Sequence, residues 1–219
     1  SQPDGLLYIG KSLMGIKGES SATIIDIKEG TTTIAPDAFN RNATVKEVNA
    51  PSTLKHIGTK AFYRCGSLMS IDIDNVETIG ESAFENCTSL GGELNLKNLK
   101  SLGKAAFYQC ASLERVTDLG DITKIPEQTF YKASGLKECN IPRTVRYIGK
   151  NAFTNARFEK VVIPLNVDTI DTQGYYGHSA LDTVIIASEK IMFGNSVFAS
   201  CDSIKAVYIL SDNVPEFQI

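Results

Sequence analysis

Ile148-Gly149-Lys150-Asn151-Ala152-Phe153 has two near-copies upstream, Ile57-Gly58-Thr59-Lys60-Ala61-Phe62 and Ile79-Gly80-Glu81-Ser82-Ala83-Phe84. Working outward from these phrases, Phe39, Phe62, Phe84, Phe107, Phe130, Phe153 and Phe198 fall at steps of 23, 22, 23, 23, 23 and 45 residues, and Tyr175 occupies the place that splits the last step in two. An aliphatic or aromatic residue precedes each by five: Ile34, Ile57, Ile79, Leu102, Ile125, Ile148, Ile170 and Phe193. A fixed period of this length is the mark of a solenoid, in which no unit buries its apolar edge alone and each must stack on the next.

The rest of the unit follows from hydrophobic spacing. Apolar residues recur about 6, 9 and 11 places after the aromatic, as in Leu68, Ile71, Ile73 and Leu181, Val184, Ile186. The alternation at the last two positions predicts a short strand, and the Ala-Phe pair predicts a short helical turn that buries both side chains. Two units carry an extra residue, before Leu94 and between Val116 and Leu119, and one is a residue short, with Phe158, Val161 and Ile163 after Phe153. The expected architecture is an α/β repeat solenoid of about eight units over residues 21–210. Residues 1–20 would cap it with a hairpin turning at Gly10-Lys11, and residues 211–219, with Val214 and Phe217, would cover the far end. Together they form one structural domain, with the seven Phe residues as its core column.

The pattern Leu-x-x-Val-x-Ile-Pro, then Ile-Gly-x-x-Ala-Phe-x-x-Cys-x-x-Leu, resembles the BspA-like leucine-rich repeats of bacterial surface proteins. Leu136-Lys137-Glu138-Cys139-Asn140-Ile141-Pro142 continuing to Ile148-Gly149 and Phe153 is a close copy, and the resemblance runs from about Ala22 to Leu210. It implies a right-handed superhelix with a parallel concave sheet and short helical or 3-10 turns on the convex side. It also implies an extracellular or cell-surface location in host-associated bacteria, often Bacteroides and its relatives, adhesion to host or neighbouring-cell proteins, and no catalytic residues. The unit around Tyr175 departs from the pattern, with Asp171-Thr172-Gln173-Gly174 where Gly-x-x-Ala is expected.

Composition narrows the function. A net charge of -3, with no Lys/Arg cluster, offers no field for a phosphate backbone, so nucleic acid is not an expected partner. No apolar run reaches the ~20 residues needed to span a bilayer. The start at Ser1, without a Met or a leader, fits a processed secreted protein and equally a chain trimmed of its leader.

Candidate chemistry is sparse, and neither a catalytic set nor a cofactor or metal site is expected. Cys65, Cys87, Cys110 and Cys201 share the third position after the aromatic, close enough between neighbouring units for a disulfide or metal ladder. Asn42, Ala133, Ala156 and His178 stand at the same position elsewhere, which favours reduced, buried thiols in a small core site. Cys139 replaces an inward aliphatic residue. His56 and His178 lie in distant units, too far apart for a His pair, the first expected exposed and the second partly buried. Asp72 and Asp74 alternate along a strand, as solvated strands commonly do, and Gly91-Gly92 lacks the Lys-Ser/Thr of a phosphate loop.

Binding is therefore expected at the outward strand positions, 8 and 10 places after each aromatic once the inserted and missing residues are allowed for. From Ile24 and Asp26 through Glu47 and Asn49 to Glu138 and Asn140 these are mostly polar with acidic character. They then become Lys160 and Val162, Thr183 and Ile185, Ala206 and Tyr208, which places an apolar stripe of Val162, Ile185 and Tyr208, flanked by Lys160 and Thr183, near the C-terminal end. An exposed apolar stripe suits a protein partner, or packing beneath the tail or neighbouring sequence. The alternative function is a structural spacer within a larger surface protein, with no ligand of its own. Nothing in the sequence fixes an oligomeric state.

Overall fold

The computed structural model describes residues 5–17 and 21–210. Over them the chain winds into a β-solenoid of about 8 coils. Its strands are numbered β1 to β19 in chain order. The expectation that Val214 and Phe217 close the far end concerns residues outside the described range.

Each full coil contributes two strands rather than one. The first is a two-residue strand ending at the aliphatic residue before the aromatic: β4 (Thr33–Ile34), β6 (His56–Ile57), β8 (Thr78–Ile79), β10 (Ser101–Leu102), β12 (Lys124–Ile125), β14 (Tyr147–Ile148), β16 (Thr169–Ile170) and β18 (Met192–Phe193). The second is the strand read from the sequence: β3 (Ile24–Asp26), β5 (Glu47–Asn49), β7 (Ser70–Ile71), β9 (Gly92–Asn95), β11 (Leu113–Asp118), β13 (Glu138–Cys139), β15 (Lys160–Ile163), β17 (Thr183–Ile186) and β19 (Ala206–Ile209). Strands of successive coils pair in parallel. At the N-terminal end β1 (Leu6–Ile9) and β2 (Ser12–Ile16) form an antiparallel hairpin, and β2 pairs with β4, so β1 is the outermost strand of that sheet.

Both faces are interrupted. The first runs β1-β2-β4-β6-β8-β10 and resumes as β12-β14-β16-β18; the second is split into β3-β5-β7, β9-β11-β13 and β15-β17-β19. Proline explains the break on the first face. In the other coils the residue after the aliphatic donates its N–H to the preceding coil, as Gly80 does to Ile57 (2.9 Å) and Gly149 to Ile125 (2.8 Å). Pro126 holds that place between β10 and β12 and has no N–H to give. On the second face, the β7/β9 break falls where Gly91-Gly92 takes up the inserted residue, with Gly92 at a φ of 74°. The β13/β15 break falls at the unit that is a residue short.

The helical turns expected on the convex side do not form: among the described residues there is no helix. Two residues of left-handed conformation bracket every aromatic, two places before and two after. Asp37 and Arg41 (φ 57° and 61°) flank Phe39, Gln173 and Gly177 (57° and 75°) flank Tyr175, and Ser196 and Ser200 (57° and 56°) flank Phe198. A left-handed residue ends an α-helix, and here the pair bends the chain into successive tight turns. Backbone donors alternate accordingly. Asn40 and Asn42 donate to residues three places back, whereas Asp37, Phe39 and Arg41 donate across to Thr59, Ala61 and Tyr63 of the next coil at 2.7–3.0 Å. The turns thus form a third stack of intercoil hydrogen bonds, which offsets the ~1–2 kcal/mol that a left-handed conformation costs a non-glycine residue. The Tyr175 unit keeps this geometry despite its divergent sequence.

The aromatics stack through the centre of the solenoid. Centroid separations are 5.1 Å for Phe39–Phe62, 5.3 Å for Phe62–Phe84 and Phe84–Phe107, 5.5 Å for Phe107–Phe130 and 5.4 Å for Phe130–Phe153. Tyr175 continues the column at 5.0 Å from Phe153 and Phe198 at 5.5 Å from Tyr175. Rings within 6° of parallel at this distance, on coils ~4.8 Å apart, are offset by roughly 2 Å, the arrangement the ring quadrupole prefers to a face-to-face sandwich. Phe39 to Phe153 are fully buried; Phe198 is half-buried. The glycine of the repeated phrase has a packing reason: a Cβ on Gly80 would lie 2.5 Å from the backbone nitrogen of Thr59 in the preceding coil.

Candidate partner-binding face

None of the outward positions of the second face is buried in the structure. Their partners along the stack are set by register. Lys160 pairs with Thr183 and Thr183 with Ala206; Val162 pairs with Ile185 and Ile185 with Tyr208. The five residues read from the sequence therefore lie in two adjacent cross-strand rows of one three-stranded sheet. Val162 is 48% exposed and Tyr208 54%, and Ile185 between them is half-buried. Beneath them Val161, Ile163, Val184 and Ile186 point into the core. In the last described coil Val207, in register with Val184, is also exposed.

Polar groups rim these rows. Thr183 Oγ1 donates to Asp182 at 2.7 Å, and Lys205 lies 3.9 Å from Asp182. Like Lys137–Glu114 (3.2 Å) and Arg146–Asp168 (3.2 Å), the Lys205 pair joins neighbouring coils at an exposed edge, where such pairs contribute little stability. On β9-β11-β13 the same outward places carry Glu93, Arg115, Glu138 and Asn140, so apolar outward rows are confined to the C-terminal sheet among those two.

Groups with conspicuous chemistry fall elsewhere. The cysteines at the third place after the aromatic are free, and each thiol donates to the carbonyl of the aromatic in the preceding coil: Cys65 to Phe39 (2.9 Å), Cys87 to Phe62 (3.0 Å), Cys110 to Phe84 (3.2 Å) and Cys201 to Tyr175 (3.2 Å). Burial pushes the Cys65 thiol up to about 12, so it stays protonated and unreactive. His56 is exposed and bonds Thr78 through Nδ1 at 2.9 Å. His178, expected to be partly buried, is fully buried and stacked on Phe158 at 5.1 Å. Burial drives its pKa down to about 4 against a smaller opposing pull from the Phe153 backbone, so the ring is neutral. Asp72 and Asp74 do not alternate on a strand, because β7 ends at Ile71; they sit in the following turn, where Asp74 N–H approaches Asp72 Oδ1 at 3.4 Å.

Two features escaped the sequence reading. One is a partial row of Tyr residues immediately after the aromatic column, Tyr63, Tyr108, Tyr131 and Tyr176, in which Tyr108 and Tyr131 stack at 4.9 Å and Lys132 lies over Tyr131 at 5.4 Å. Its period is visible in the sequence. The other is a cavity of about 570 Å³ where the ladder between β13 and β15 is missing, walled by Cys139, Phe153, Phe158 and Tyr175 and edged by Lys160 and Val162. Its cause, the shortened unit, is also visible. Cys139, expected in the core, is half-buried on this wall.

The BspA-type leucine-rich repeat region model matches residues 17–132 and 100–218 in 6 copies. The chain belongs to the BspA-type leucine-rich repeat family. Several solved structures share its fold. The Treponema pallidum leucine-rich repeat protein matches at 23% identity, covering 89% of this chain and 82% of its own, with a TM-score of 0.61. A Bacteroides ovatus leucine-rich repeat protein matches at 19% identity over 93% of this chain and 69% of its own, with a TM-score of 0.52. The pneumococcal vaccine antigen PcpA matches at 16% identity over 98% of this chain and 70% of its own, with a TM-score of 0.63. No curated protein matches the chain.

Proposed function

We propose that this BspA-type repeat is a non-enzymatic binding module of a cell-surface or secreted protein, and that it holds a protein of a host or neighbouring cell on the outer face of β15-β17-β19. The observation that carries the reading is the in-register row Val162–Ile185–Tyr208. Apolar residues on adjacent parallel strands, rimmed by Lys160, Thr183 and the Lys205–Asp182 pair, have the anatomy of a small interface core with a polar border. Tyr208 supplies the aromatic anchor such cores favour. Family membership supports the surface placement and the protein partner.

The test is a variant carrying Val162→Ser, Ile185→Ser and Tyr208→Ser, applied with the parent protein to immobilised matrix and host-surface proteins. The variant keeps the parent's melting transition and loses binding. Unchanged binding by the folded variant removes this face from the function.

A further inference from the structure

The shortened unit leaves a wedge between two coils. In ordinary coils the residue six places after the aromatic closes a turn on the third, as Leu68 does on Cys65 (3.1 Å) and Leu136 on Ala133 (2.9 Å). Ala156-Arg157-Phe158 omits one residue, so this turn is missing, and Arg157 N–H instead reaches back to the Leu136 carbonyl at 2.8 Å. Farther along, Ala187 donates its N–H to Ile163 at 3.0 Å, but Pro164, its counterpart one coil earlier, has no N–H for Ile141. β13 and β15 therefore do not pair, and a space of about 570 Å³ opens between them beside Phe158. The same two coils stay joined through β12-β14-β16 and through the aromatic column.

Phe158 covers an unusual core residue. His178 stands at the place that Cys65, Cys87, Cys110 and Cys201 fill in other coils. It is 0% exposed and lies against the Phe158 ring, 5.1 Å away and within 14° of parallel. The Phe153 backbone, counterpart of the carbonyls those thiols meet, pulls on the imidazole less than burial does, and neither ring nitrogen makes a hydrogen bond of good geometry. Tyr175 faces the ring from its own coil at 5.9 Å, and from the next coil the Cys201 thiol meets the His178 backbone. Burial keeps both of these groups protonated. No charged group is among the influences on the imidazole; Arg157, Glu159 and Asp202, next to these residues in the chain, are exposed.

We propose that proton uptake by His178 opens the solenoid locally at the seam between β13 and β15, Phe158 swinging into the wedge and admitting water to the ring. An imidazolium without a partner is costly in an apolar core, and its way out crosses an edge where no strand ladder resists. The direction follows from the two protonation states. Closed, the ring titrates at about 4; open, it returns to the ordinary 6.5, so the open form binds the extra proton between those values. Its share rises about twentyfold from pH 7 to pH 5. Val162 lies on β15, so the seam borders the proposed partner face, but the opening stands whether or not that face binds a protein.

Native-state hydrogen exchange resolved by NMR reads the open population once intrinsic exchange rates are divided out. The Arg157 amide, whose bond to Leu136 crosses the seam, loses about twentyfold in protection between pH 7 and pH 5. The Gly80 and Gly103 amides, bonded to Ile57 and Ile79 in coils far from the seam, keep theirs. His178→Leu and His178→Cys, the second carrying the residue that four other coils have there, hold Arg157 protection constant over the same range. Constant Arg157 protection in the parent overturns the inference. So does an equal loss in either folded variant, or a loss shared by Gly80 and Gly103, which would make the transition global.

Discussion

Truncating the aromatic column at its middle and near its end should have very different costs. Phe107 is 0% exposed and stacked on both sides, 5.3 Å from Phe84 and 5.5 Å from Phe130. Phe107→Ala removes a fully buried ring from between two parallel rings that the intercoil hydrogen bonds hold in place. Phe-to-Ala changes in cores that cannot collapse cost ~3–5 kcal/mol. The upper part of that range applies, because the coils on either side are held by Phe107 N–H to Thr129 (2.9 Å) and Phe84 N–H to Ala106 (2.8 Å). A loss of about 4–5 kcal/mol is a large share of the ~5–15 kcal/mol typical of a folded domain. Phe198, half-buried in the last described coil, leaves a partly open space that solvent fills, so Phe198→Ala costs about 1–2 kcal/mol. Urea titration followed by circular dichroism measures both, with equal slopes as the check that the unfolding unit is unchanged. Equal losses at the two positions would refute the idea that a continuous buried column carries the stability of the solenoid.

Three other outcomes follow from named contacts. Gly80→Ala forces a Cβ to 2.5 Å from Thr59 N, a backbone atom, and lowers stability by about 1–3 kcal/mol in urea unfolding; a neutral result would mean that adjacent coils can separate freely. Ser200→Gly, at a φ of 56° where the coil before it already has Gly177, raises the urea midpoint by the equivalent of about 0.5–1 kcal/mol, and a lowered midpoint contradicts the left-handed turn. His178 is held neutral down to about pH 4 in the fold but titrates near 6.5 when unfolded, so the unfolded chain binds the extra proton between those values. Its contribution is complete above pH 6.5 and is lost as pH falls toward 4, a change on the order of 3 kcal/mol. His178→Leu flattens the stability profile across that window, and a profile identical to the parent's contradicts a buried neutral imidazole.

The coil was legible in the sequence because its period is enforced by burial: the Phe column and the inward aliphatics sit where stacking requires them, and only in the last described coil does an inward position, Val207, stand exposed. The turn was not, because Ala-Phe adjacency looks the same in a helical turn and in a turn held by two left-handed residues. Lys60, Ser82, Ala105 and Gln128 adopt that conformation without being Gly or Asn, so residue type gave no warning. The second strand per coil was hidden for a similar reason, since two residues such as Thr78-Ile79 show no alternation. The apolar outward row was readable by counting, as it needed only the register. The cavity required two facts to be combined, the missing residue before Phe158 and the absent N–H of Pro164, and only a three-dimensional stack shows that they fall on the same edge.

The proposed partner-binding row on the outer face of the C-terminal sheet is tested most directly by surface plasmon resonance. The parent chain and the Val162→Ser, Ile185→Ser, Tyr208→Ser variant are passed over a panel of host matrix and cell-surface proteins, with Glu93→Ser, Glu138→Ser as a control on the polar sheet. The predicted result is a partner held by the parent and the control but at least tenfold more weakly by the triple variant, with matched melting curves. Equal binding by parent and triple variant, or loss confined to the polar-sheet control, would contradict it.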